Sequence, residues 1–175
     1  MSIRRTRTII LIYVALLCTL YALPISTGDV GLSSSAKWFT HLTYQHFHAS
    51  IFHLICNIWA LLVFAFTVRT PLYKFITAYV LSATYPFVGE DVIVGTSGLI
   101  YAVAGMYTFY GDTIRKFSQY NLFFAATIAV GALFSHVAVG IHAYCYLLGA
   151  VYAFLFIPIR TPLFNHLTTK RLLSC

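Results

Sequence analysis

Six long apolar stretches leave this chain few architectures. They run over about residues 8–25, 47–68, 72–88, 92–111, 120–135 and 137–159. Crossing a bilayer core takes about 20 residues of α-helix, with a range of about 17–25. Each stretch is continuously apolar rather than alternating, which fits helices and not the strands of a membrane barrel. Of the 175 residues, 60% are hydrophobic and only 9% are charged, against about 25% charged in soluble domains. A soluble fold of this length cannot hide so much apolar surface, so lipid must cover the outside. The expectation is an all-α membrane protein, one transmembrane domain over residues 1–175 built as a six-helix bundle.

The net charge of +7 raises the question of nucleic acid. Its distribution answers it. With the N-terminus inside, Arg4, Arg5, Arg7, Arg69, Lys74, Arg115, Lys116, Arg160, Lys170 and Arg171 share one face, and of the 11 basic residues only Lys37 is outside. That is a positive-inside pattern. Asp29, Glu90 and Asp91 fall outside. The basic residues therefore report topology, no nucleic-acid partner is expected, and both termini are placed in the cytoplasm. Reading Arg4–Leu20 as a cleaved signal peptide would leave five crossings and spoil the charge pattern of every later loop, so a retained first helix is favoured. The longest outside loop, 26–46, starts polar and becomes aromatic and His-rich.

No cofactor or metal is expected. Cys18, Cys56 and Cys145 sit in apolar runs and Cys175 is the last residue; none has zinc or disulfide spacing, so they read as small hydrophobes. HExxH is absent, which removes a zinc metalloprotease. His41, His46 and His48 have no carboxylate near them in sequence. Asp29 and Asp112 lie on opposite membrane faces, about 30 Å apart, too far to share a proton as an aspartyl dyad does.

Polar residues within apolar segments are costly and mark function by default. His53 and Asn57 lie four apart in HLICN, on one helical face a turn apart. Ser97 lies in GTSGLIYA between Gly95 and Gly98; glycine there allows a close backbone approach and a sharp entry into a helix. Tyr101 follows on the face of Ser97. His142 lies in GIHAYCYLLG, with Cys145 and Gly149 on its face, small enough for tight helix packing. Ser97 to Gly111 makes about 22 Å of helix, so a helix starting near Ser97 places the serine below the outer surface of a core about 30 Å thick. The loop before it would dip into the membrane, which is tolerated only if it is buried in protein or lines a wet cavity. Taken singly, Ser97 reads as a serine bonded to its own helix, His53, Asn57 and His142 as helix glue, Tyr101 as a packing aromatic and Gly149 as a contact site. Together they fall on three helices at one depth.

With those residues in view, the chain resembles the rhomboid family of intramembrane serine proteases. HASIFHLICN resembles the family's H-x4-H-x3-N, carried by His48, His53 and Asn57; GTSGLIYA resembles G-x-S-G-x-x-Y, carried by Gly95, Ser97, Gly98 and Tyr101; IHAYCYLLG resembles the final His with its following glycines. Two positions depart from the pattern: Cys145 stands where Gly is usual, and Phe39 follows Trp38 where the family often has Arg.

The resemblance implies a protease that cuts transmembrane helices of other proteins near their outer end. Ser97 would be the nucleophile and His142 its base, since a serine hydroxyl needs an imidazole to take its proton. His53, Asn57 and the Ser97 N–H would form the oxyanion hole. Tyr101 would stack on His142, and His48 would tie the outer loop to the core. The expected setting is a bacterial inner membrane. The rivals are a relative that binds or chaperones membrane helices without cutting them, against which intact Ser97 and His142 argue, and a small transporter, which would need polar residues through the full depth.

Overall fold

The first apolar stretch folds as α1, Ile3–Ala22, which begins earlier than expected and takes Arg4, Arg5 and Arg7 into its first turns. Arginine is a good helix former, so the apolar run marks the lipid-covered length and not the whole helix. α1 is one element of a computed structural model that describes residues 3–34, 37–86, 91–109, 114–131 and 138–156. Glu90, Gly111, Asp112, Arg160, Lys170, Arg171 and Cys175, used above for charge, length and cysteine, lie outside the described residues. The chain divides into two compact units, Met1–Ile100 and Tyr101–Cys175.

In the first unit α1 is followed by the single turn α2, Thr27–Val30, and by α3, Thr40–Thr43, which tightens into a 3-10 turn at Tyr44–His46. Then come α4, Ile51–Leu62, and α5, Leu72–Ala83. α4 ends in a π-helical turn, Val63–Thr67. The stop is well defined: Arg69 takes φ 58°, the Thr70 N–H returns to the Phe64 carbonyl at 2.9 Å, and Pro71 follows. A left-handed residue after the last turn is a common helix terminator. From α1, the Arg7 guanidinium donates to the Phe66 carbonyl at 3.2 Å and lies 5.0 Å over the Phe66 ring, a cation at the negative end of the α4 rod. Thr6, Ile10 and Leu17 are the buried residues of α1, while Ile12 on the other side is 65% exposed.

The second unit holds the rest of α6, Ser97–Gly105, together with α7, Ile114–Gly131, and α8, Val139–Phe156. α6 has nine residues, about 13 Å, and not the 22 Å read from the sequence. After Gly105 the N–H groups of Tyr107 and Thr108 bond three residues back instead of four; glycine is a poor helix former and the coil tightens and stops. α7 begins at Ile114 rather than near 120, so Arg115 and Lys116 lie in its first turn.

The described residues are helical, with no strand among them; Leu32 and Ile93 form one isolated bridge. α1 and α8 are each long and apolar enough to cross a membrane, and the bent pair Thr40–His46 and Ile51–Thr67 makes up to three. Large apolar side chains are exposed among the described residues: Phe52, Trp59, Leu122, Leu147 and Phe156 are all more than 60% exposed. Patches of that kind are not left to water.

Candidate active site

α4 is started by Ser50, whose extended backbone (φ −150°, ψ 158°) and side-chain oxygen accept the helix, the oxygen taking the His53 N–H at 3.2 Å. This is a serine N-cap. It fixes the register in which His53 and Asn57 fall one turn apart on one face. Both meet the same backbone atom. A Cβ built on Gly95 would lie 2.5 Å from His53 Cε1, 2.8 Å from His53 Nε2 and 3.5 Å from Asn57 Nδ2. Gly95 itself has φ +122°, a conformation that side-chain-bearing residues rarely adopt. Glycine is thus required here twice, by its dihedral and by the two side chains pressed against it. Ser97 heads α6 two positions later and is half-buried, with Gly98 buried beside it. The first turn of a helix carries N–H groups without intrahelical acceptors and a partial positive charge.

The segment before α6 is not helical, and several of its polar backbone groups are paired within the first unit. Ile93 and Leu32 exchange two bonds of 2.9 Å; the Gly95 N–H donates to the Tyr44 carbonyl at 2.9 Å; the Thr96 N–H donates to His48 Nε2 at 3.5 Å. The Thr96 hydroxyl donates to the Gln45 carbonyl at 2.7 Å. Residues 44–48 therefore act as a brace for the extended segment that delivers Ser97, with His48 accepting from the Thr96 N–H. His48 also sits edge-on to His53, with centroids 5.1 Å apart. The brace is itself anchored on α5: Tyr44 Oη donates to the Ser82 carbonyl at 2.9 Å, Ser82 Oγ to Gln45 Oε1 at 2.7 Å, and Gln45 Nε2 to the Tyr79 carbonyl at 3.2 Å. Next to this frame, Asn57 Nδ2 and His48 Nδ1 are buried with no hydrogen-bond partner among the described residues.

In the second unit His142, 8% exposed, stacks on the ring of Tyr101 with centroids 4.4 Å apart and planes 20° apart. The stack depends on close approach of α6 and α8. A Cβ on Gly149 would run into the Ala102 carbonyl and come within 3.1 Å of Gly105 Cα, and one on Gly105 would meet the Tyr146 carbonyl. Cys145, which replaces a usual glycine, is fully buried, so its small side chain is accommodated in this tight packing.

The remaining loop histidines go separate ways. His41 Nδ1 donates to the Ala83 carbonyl at 3.0 Å. His46 is held between Tyr13 on α1, 3.0 Å from Nδ1, and Tyr79 on α5, 3.4 Å from Nε2. Trp38 is 78% exposed and contacts Phe39 edge-on. Sequence reasoning passed over Gln45, Ser82, Thr96 and Thr127. Ser82 and Thr127 are polar residues in apolar stretches, the signal that picked out Ser97, but short hydroxyls in helices carry no motif.

An all-helical protein with lipid-length apolar helices is an integral membrane protein. Its family is given by the family model of the Rhomboid domain, which matches residues 35–161. That is well over half of the chain, and the chain belongs to the rhomboid family. No curated protein and no solved structure matches it.

Proposed function

We propose that this rhomboid protein is an intramembrane serine endopeptidase. Ser97 attacks the scissile carbonyl and His142 takes its proton, as a dyad with no third carboxylate. His53, Asn57 and the Ser97 N–H stabilise the oxyanion, aided by the positive end of α6. Tyr101 steadies the imidazole, His48 and Gly95 hold the loop, and Gly98 and Gly149 allow close packing. The domain is one six-crossing bundle with both termini in the cytoplasm of a bacterial inner membrane. The substrates are transmembrane helices cut near their outer end, where the helix must open before a peptide bond is exposed.

Asn57 carries this reading. It is 5% exposed, its amide donor has no partner among the described residues, and it borders the glycine two positions before Ser97. Leaving a buried donor unpaired costs about 1–3 kcal/mol. Such a cost fits a donor whose acceptor arrives only with the reaction. The test is fluorophosphonate labelling of purified protein, run beside cleavage of a reporter transmembrane substrate in proteoliposomes. Wild type should label and cleave, and Ser97→Ala should do neither while remaining folded. A wild type that binds the reporter but neither labels nor cuts it would point instead to a helix-binding relative.

A further inference from the structure

The resemblance puts no functional residue on α7, yet that helix reaches the proposed base through Tyr101. Tyr101 Oη lies 3.0 Å from Thr127 Oγ1. The direction of this bond is fixed by a second one: Thr127 Oγ1 donates its only proton to the Phe124 carbonyl of its own helix at 2.8 Å. Thr127 can therefore only accept from Tyr101, whose phenolic proton is committed to α7. That removes Tyr101 as a proton donor in the chemistry and leaves it to act through its ring face, the face stacked on His142 at 4.4 Å. Phe124 meets the same ring edge-on at 6.1 Å and is itself stacked on Tyr146 at 5.6 Å. The ring is thus held by the imidazole, by Phe124 and by the hydroxyl of Thr127.

We propose that Thr127 is a positioning residue for the reaction: by accepting the Tyr101 hydroxyl bond it fixes the ring against which the His142 imidazole is aligned. The proposal rests on the reading of His142 as the general base. A phenol ring is a lever whose far end is its hydroxyl. Pinning that end sets the tilt of the face that the imidazole lies on. Catalytic groups must be held within about 0.5 Å and 10–20° of the productive geometry, and a stack alone leaves sliding and tilting open.

The experiment compares wild type with Thr127→Val, Thr127→Ser, Tyr101→Phe and the Tyr101→Phe/Thr127→Val pair, measuring kcat and KM for a reporter transmembrane substrate, the fluorophosphonate labelling rate and thermal unfolding. Valine keeps the shape and removes the acceptor. One ordinary hydrogen bond corresponds to about 2- to 10-fold, so Thr127→Val should lower kcat and the labelling rate by about that factor with little change in KM. Thr127→Ser should recover most of the loss. The double variant should be no worse than Tyr101→Phe alone, because both single changes delete the same bond. An active wild type with an undiminished Thr127→Val, with losses that add in the double variant, or with no recovery in Thr127→Ser overturns this proposal alone. A wild type that neither labels nor cleaves overturns the protease reading, and this proposal falls with it.

Discussion

Replacing Gly95 by alanine adds one methyl group between the backbone and the two proposed oxyanion donors of α4. The new Cβ would stand 2.5 Å from His53 Cε1, where carbon atoms need about 3.5 Å. The imidazole must then retreat by about 1 Å. A hydrogen bond of ordinary length stretched by that much is no longer one, so His53 is lost as a donor although it is still in the chain. Losing one such donor costs about 10²–10³ in kcat. The dihedral adds a separate penalty, because an alanine held at φ +122° costs about 1–3 kcal/mol of stability. The two effects separate in a cycle with His53→Ala, read by reporter cleavage and by thermal unfolding. Once the imidazole is gone the methyl group has room, so Gly95→Ala should cost little further activity in that background, while its stability penalty persists. If the two losses of activity multiplied, the clash with His53 would not be the cause and the reasoning would fail.

Three further outcomes follow from the same geometry. Asn57→Ala should lower kcat by about 10²–10³ but retain measurable serine labelling, whereas His142→Ala should lose both; a fully active Asn57→Ala would refute its role. Thr96→Val, which deletes the buried 2.7 Å bond to Gln45, should destabilise the protein by about 1–3 kcal/mol, seen as a lower unfolding midpoint. Gly149→Ala should be worse tolerated than most small changes, by about 1–3 kcal/mol or more, because the methyl group meets the Ala102 backbone, which cannot rotate away; a wild-type midpoint would show that α8 can shift freely.

The helical character was legible in the sequence because lipid demands long apolar runs, and His53, Asn57, Ser97 and His142 drew notice because a membrane makes such residues conspicuous. The pairing of His53 and Asn57 followed from helical spacing, and both do converge on Gly95. The ends of α1 and α7 were misjudged because hydropathy measures contact with lipid, while helices continue into polar turns that favour the coil. α6 was overestimated because nothing in an apolar run announces that Gly105 will tighten the bonds behind it. The frame around Gln45 and Ser82, and the contact of Thr127 with Tyr101, join residues 37 and 26 positions apart. Pairings of that kind depend on tertiary arrangement, and no local pattern encodes them.

The brace has a consequence for how the protein is made. Thr96 bonds to His48 and Gln45, which precede it by 48 and 51 positions. At a synthesis rate of about 5–20 residues per second, those earlier groups wait roughly 2–10 s for the segment that bonds to them. During that interval the bonds from Gly95 to the Tyr44 carbonyl and from Thr96 to the Gln45 carbonyl are still unmade. The serine, for its part, enters the membrane into a cradle already laid down. Under the proposed dyad the serine meets its frame before His142, synthesised 45 positions later, can supply the base, so a nascent chain would be unable to cut its neighbours until that last helix is made.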